Sequence, residues 1–161
     1  MKKIINNKKL LIAIISFILI IVFIIIILLV SDRKITCIME TDQSKNGFIF
    51  NSEYVIKYKK NIVNKVKITE TITSSDNTIL EKYNKQLEKQ YSDMNKLYNG
   101  YNNKITISKG SVISKTTINY KEFDMKEFIK DNEAMKQYTK DNKLTVEGAK
   151  KLYESSGATC K

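Results

Sequence analysis

Lys65-Val66-Lys67-Ile68-Thr69-Glu70-Thr71-Ile72-Thr73 alternates without a fault. Val66, Ile68, Glu70 and Ile72 fall on one side of an extended chain, and Lys67, Thr69, Thr71 and Thr73 fall on the other. A period of two with β-branched residues describes a strand that buries one face and wets the other. The preceding segment, Phe48 to Lys60, is equally rich in β-branched and aromatic residues. Its later part sets Tyr54, Ile56 and Tyr58 against Val55, Lys57 and Lys59. A turn at Asn61 to Asn64 then makes the two segments a hairpin with one solvated face.

Before this hairpin, Ile35 to Thr41 reads as a short strand, and Asp42 to Gly47 as a turn centred on Asn46-Gly47. After it, Ser75 or Asp76 caps a helix whose Ile79, Leu80, Tyr83, Leu87, Tyr91, Met94, Leu97 and Tyr98 recur at three and four. Gly100 suits the position after its end. Lys104 to Ser108 and Val112 to Tyr120 form a second hairpin around Lys109-Gly110, with Ile105, Ile107, Ile113 and Ile118 as apolar members. Helical pieces follow at about Met125 to Lys140 and Val146 to Ser155, the second capped by Thr145 and stopped at Gly157. Ala158 to Lys161 then returns beside the first strand. This order predicts an α+β domain, with an antiparallel sheet of about five strands covered on one face by helices.

Toward the N-terminus, Leu10 to Val30 is apolar apart from Ser16. At 1.5 Å per residue a helix of this run is about 30 Å long, the thickness of a bilayer core. Lys2, Lys3, Lys8 and Lys9 precede it with no acid among them. Such a tail favours the cytoplasmic side and directs the rest of the chain outward. The run exceeds the h-region of a cleavable signal, and Leu29 occupies an unfavourable position for cutting after Ser31. The predicted organisation is therefore a basic cytoplasmic tail over 1–9, a signal-anchor over 10–30 that meets the lipid bilayer, and an extracytoplasmic domain over 31–161.

Cys37 and Cys160 bracket that domain, and no C-x-x-C motif is present. The pair is expected as a disulfide joining the first strand to the last residues, in keeping with an oxidising compartment.

The chain has 161 residues, 28 of them basic and 17 acidic, for a formal charge of +11. It has no His, Pro or Trp, and Arg33 is its single Arg. Without His, the Ser-His-Asp and Cys-His arrangements and His-based zinc chemistry are excluded. With one Arg, bidentate phosphate clamps are disfavoured. Lys, Ile, Asn and Tyr are abundant, so the charge reads first as the imprint of a coding sequence rich in A and T. The second reading is a surface for an anionic envelope polymer or lipid headgroups. Nothing points to specific nucleic-acid binding.

No Gly-rich phosphate loop occurs. Glu122 with Asp124, and Asp131 with Glu133, are the carboxylate pairs, each in a Lys-containing stretch that reads as solvated surface. Asp42-x-x-x-Asn46 lacks the remaining ligands of a calcium loop. Ser74-Ser75 and Ser155-Ser156 have no base to activate them. Tyr83, Tyr91, Tyr98, Tyr101 and Tyr120 could stack a ligand but read more simply as core rings. No catalytic, cofactor or metal residue is assigned.

Thr36-Cys37, Asn64-Lys65-Val66-Lys67-Ile68-Thr69, the amphipathic helix, the second hairpin and the Gly157-to-Lys161 ending together resemble the YehR-like proteins, small membrane-anchored or lipoprotein-like bacterial envelope proteins. The chain departs from their lipoprotein form in lacking a lipidation Cys. The resemblance implies location and fold more than function. The expectation is a non-enzymatic envelope protein with an interaction or structural role, its partner an envelope protein or an anionic polymer. An enzyme using Lys, Tyr, Asp or Glu has no arranged site in this sequence. A pilin-like subunit lacks both the processing Gly and the early Glu in the apolar segment.

Overall fold

The structure is a computed structural model that describes residues 16–24 and 31–161. Residues 16–24 are helical, with every side chain exposed. Among the described residues no helix is long and apolar enough to cross a membrane. The expected tail over 1–9 with Lys2, Lys3, Lys8 and Lys9, and most of the expected span over 10–30, lie outside the described residues.

Residues from Arg33 onward form a separate compact unit. It is α+β. Six antiparallel strands build one sheet: β1 (Arg33–Gln43), β2 (Phe48–Lys59), β3 (Ile62–Thr73), β4 (Tyr101–Ser108), β5 (Ser111–Asn119) and β8 (Thr159–Cys160). Their order across the sheet is β4-β5-β3-β2-β1-β8. The expected five strands become six because the C-terminal return pairs fully with β1, Cys37 opposite Cys160 and Ile38 opposite Thr159. A separate two-stranded ribbon joins β6 (Thr139–Lys140) to β7 (Lys143–Leu144).

The β2–β3 hairpin is tighter than its sequence suggests. Its turn is Lys60-Asn61 alone, with φ of 48° and 66°, the double left-handed geometry of a two-residue turn that follows the natural strand twist. Strand β3 therefore begins at Ile62, and a register shift at Lys57/Tyr58 takes up one residue, Asn64. At the other end of β2, the Ser44–Asn46 3-10 turn closes on Gly47, whose φ is 84°.

Helix α1 (Asn77–Leu97) starts at Asp76, whose side chain accepts from the Thr78 N–H. That bond satisfies one orphan donor of the first turn. The helix ends at Leu97 with Tyr98 already extended. Gly100 thus belongs to the turn into β4, where an added Cβ would lie 2.6 Å from the Asn119 carbonyl oxygen.

The expected helix from Met125 to Lys140 is interrupted. Helix α2 (Met125–Asp131) stops at Asn132, a 3-10 segment runs from Glu133 to Tyr138, and the chain then enters β6. Helix α3 (Val146–Ser155) follows, capped by the Thr145 hydroxyl.

The helices of this unit pack on one face of the sheet. Helix α1 lies on β4 and β5, and α3 lies on β1, β2 and β3. Two apolar clusters result. One, under α2 and α3, gathers Ile56, Val63, Val66, Ile129, Ala149 and Tyr153, with Cys37 fully buried. The other, under α1, gathers Ile72, Leu80, Leu87, Tyr91 and Val112. Burying the Leu and Ile members stabilises the fold by roughly 1.5–3 kcal/mol each. The Cys37–Cys160 disulfide is formed and spans 123 residues of sequence.

Candidate functional site

Between the two clusters, the covered face of the sheet turns polar. Ser52 on β2, Glu70 on β3 and Ser114 on β5 stand opposite one another in register. The next row holds Ile68, Thr116 and Asn103. Asn103 Nδ2 donates to Ser114 Oγ at 2.9 Å and to Thr116 Oγ1 at 2.7 Å. Ser52, Ser114 and Thr116 are buried, and Ser52 Oγ has no hydrogen-bond partner among the described residues.

Glu70 is the one carboxylate that strand alternation places on this face, since Glu40, Asp42 and Glu53 point to the other. Its side chain opens into a cleft of about 530 Å³ between α1 and β2, lined also by Phe50, Ile72, Tyr83, Leu87 and Tyr91. Lys89 and Asp93 stand among its remaining lining residues with opposite charges. Tyr91 Oη donates to Glu70 Oε2. Burial, reinforced by the Glu70 charge, pushes the Tyr91 phenol well above its ordinary range. Burial likewise raises Tyr83, and it carries Tyr101 to about 12. These hydroxyls are therefore protonated at neutral pH and able to donate. The rings of Tyr91 and Tyr101 lie 6.2 Å apart, and Tyr83 lies 6.3 Å from Phe48. The cleft thus combines a carboxylate with aromatic walls, a pairing that favours a cationic group over an anion.

A larger cleft of about 580 Å³ lies at the opposite end of the domain, between the start of β3 and the Asp141-Asn142 turn. It brings Lys121, Lys126 and Lys143 near Asp124 and Asp141, with no buried charged group among them.

The residues singled out in the sequence are placed as follows. Cys37 and Cys160 are bonded to each other. Glu122 accepts from Asn119 Nδ2 at 2.5 Å, and Asp124 caps α2 by accepting from the Glu127 N–H at 3.0 Å. Asp131 accepts from Tyr98 Oη at 3.0 Å, whereas Glu133 pairs with Lys136. Neither carboxylate pair is drawn into a shared site. Asp42 accepts from the Ser44 N–H at 2.8 Å and from its hydroxyl, which holds the Asp42 carboxyl below its ordinary value. Asn46 bonds Gln43 instead.

Ser74 is buried and ties two turns together: its hydroxyl donates to the Gly47 carbonyl, and its N–H donates to the Gly110 carbonyl. Ser155 and Ser156 both donate back to the Leu152 carbonyl. Among the tyrosines, Tyr98 and Tyr120 pack around Phe123 in the larger cluster, while Tyr83, Tyr91 and Tyr101 surround the polar rows. Glu70 was the residue that sequence reading passed over. The signal was a charged residue in phase with Val66, Ile68 and Ile72, on the strand's apolar side.

No family model and no curated protein matches this sequence. Among solved structures, the NMR structure of the E. coli YehR protein aligns with 81% of this chain and 92% of its own length, at 16% identity and a TM-score of 0.53. The fold is YehR-like. An NMR structure of a protein from Streptococcus pneumoniae TIGR4 aligns with the same share of this chain and 86% of its own length, at 16% identity and a TM-score of 0.46. At this identity the likeness extends to the fold alone.

Proposed function

We propose that this chain is a non-enzymatic, membrane-anchored binding protein of the cell envelope, which receives a cationic group of a protein partner in the Glu70 cleft. Residues 10–30 form the anchor, with the N-terminus inside and the α+β domain outside. The apolar run, the four preceding lysines and the Cys37–Cys160 disulfide support that placement.

The observation that carries the binding role is the position of Glu70. Placing a carboxylate on the covered face of a sheet is costly unless a partner compensates it. Tyr91 supplies one hydrogen bond. The second carboxylate oxygen, together with the rings of Phe50 and Tyr83 in the same cleft, suits a primary or substituted ammonium. A carboxylate beside aromatic rings is an arrangement suited to holding a cation.

The test is co-purification of the full chain after mild detergent extraction, wild type against Glu70→Gln. The amide keeps an acceptor for Tyr91 and removes the charge. A partner retained by the wild type and lost by Glu70→Gln supports the reading. Equal retention removes Glu70 from the interaction, and substrate turnover by the pure chain overturns the non-enzymatic role.

A further inference from the structure

The face of the sheet turned away from the helices carries its charges in an ordered way. Lys34 on β1 stands directly opposite Lys57 on β2, and Lys57 stands directly opposite Lys65 on β3. Three lysines therefore form one row across three adjacent strands, at the usual strand spacing of about 4.8 Å. Lys67 lies one row further along the same face. Lys34, Lys57 and Lys67 are exposed, and Lys65 is half-buried. The acids of this face, Glu40, Asp42 and Glu53, lie toward the other end of β1 and β2. Across β1, β2 and β3 the sheet surface is thus polarised along its strands, while Lys115 on β5 and Lys104 on β4 stand in the row of Glu53 and Thr69.

Like charges directly opposite in a sheet repel, so an anionic surface facing such a row is favoured. Asp32 and Arg33, which precede the row, cancel in charge. The basic end is also the end at which β1 begins. Val30 closes the apolar run four residues before Lys34, a length of at most about 14 Å even when fully extended.

We propose that the Lys34–Lys57–Lys65 row binds anionic phospholipid headgroups of the membrane in which the chain is anchored. This rests on the anchor reading above and is independent of the Glu70 cleft. Charge complementarity favours this occupant: a flat row of ammonium groups meets a surface of closely spaced phosphates. Each lysine near such a surface contributes about 1 kcal/mol, or about fivefold in occupancy.

The experiment uses the full chain in lipid nanodiscs, with lysine acylation read by mass spectrometry. Discs of phosphatidylcholine are compared with discs containing phosphatidylglycerol. The expected result is several-fold slower acylation of Lys34, Lys57 and Lys65, and of Lys67 beside them, in the anionic discs. Lys85, Lys89 and Lys96 on α1 should react equally in both, and about 0.5 M NaCl should abolish the difference. Equal acylation of the row in both discs overturns the proposal and leaves the anchor intact. Failure of the chain to co-elute with either disc overturns both. Protection by added soluble polyphosphate in neutral discs, without protection in anionic discs, reassigns the row to a soluble polyanion. The Lys34→Gln/Lys57→Gln/Lys65→Gln chain should lose the protection of Lys67 and melt no lower than the wild type, because it relieves repulsion. A lower melting temperature would give the row a structural role and overturn the proposal.

Discussion

Reducing the Cys37–Cys160 bond should remove a large part of the domain's stability. The bond closes a loop across 123 residues of sequence. On the chain-entropy model such a loop withholds about 4.9 kcal/mol of unfolded-state entropy at 25 °C. The whole domain is expected to have only about 5–15 kcal/mol. Taking about 2.1 cal/mol/K of unfolding entropy per residue over about 130 residues, the loss corresponds to a fall in Tm of about 18 °C. Locally, β8 is a two-residue strand, and beyond it the paired backbone bonds between Thr36 and Lys161, at 3.0 and 2.9 Å, tie the end of the chain to β1. The assay is thermal unfolding of the oxidised chain against the same chain in reductant, with amide exchange at Thr36 and Lys161. Using reductant keeps both sulfur atoms, so no cavity forms beside the fully buried Cys37. A fall of less than about 4 °C, near 1 kcal/mol, would refute the entropic account. The unfolded chain would then already hold its ends together.

Two further outcomes follow from the packing. Gly148 lies buried in α3 against Tyr138, where an added Cβ would come 1.9 Å from the Tyr138 carbonyl oxygen. Gly148→Ala should therefore lower stability by about 3 kcal/mol or more by urea unfolding, despite the better helix propensity of Ala. The second concerns alkaline pH. Burial raises the phenols of Tyr91, Tyr101, Tyr120 and Tyr153 in the folded state. The unfolded chain releases those protons at about pH 10 while the folded chain keeps them, so stability is complete below pH 10 and falls above it. Absorbance at 295 nm should show these phenols ionising only as the fold is lost. Their ionisation before unfolding would contradict their burial.

Much of the fold was legible because local chemistry and tertiary demand agree. Lys65 to Thr73 alternates because one side of β3 meets helices and the other meets water. Asp76 and Thr145 announce their helices by capping them. The Lys109-Gly110 turn has a glycine at a φ of 77°. The missed turns lack that signal. Lys60-Asn61 and Asp141-Asn142 take left-handed backbone without glycine, all four φ lying between 48° and 66°. Lysine has no evident preference for such a position, so the sequence pattern points to a turn later than the true one, at Asn61 to Asn64. Strands β6 and β7 are two residues each, too short to show alternation, and the helical pattern runs on to Lys140 without a breaking residue. In the site, the disulfide was legible from two cysteines at the edges of one domain. Glu70 and the lysine row were not, because each depends on what neighbouring strands place opposite it. Register is a tertiary fact.

The disulfide also decides how the domain carries load. A pull applied between residue 33 and residue 161 would pass through β1 only as far as Cys37, cross the covalent bond, and leave by Lys161. Residues 38–159 would bear no tension. In the reduced chain the same pull would strip β8 and then peel β1 from β2, releasing a slack of about 400 Å of extended polypeptide. Oxidised, the domain behaves as a short inextensible link, and a partner tugging on its last residues draws directly on the segment that precedes β1.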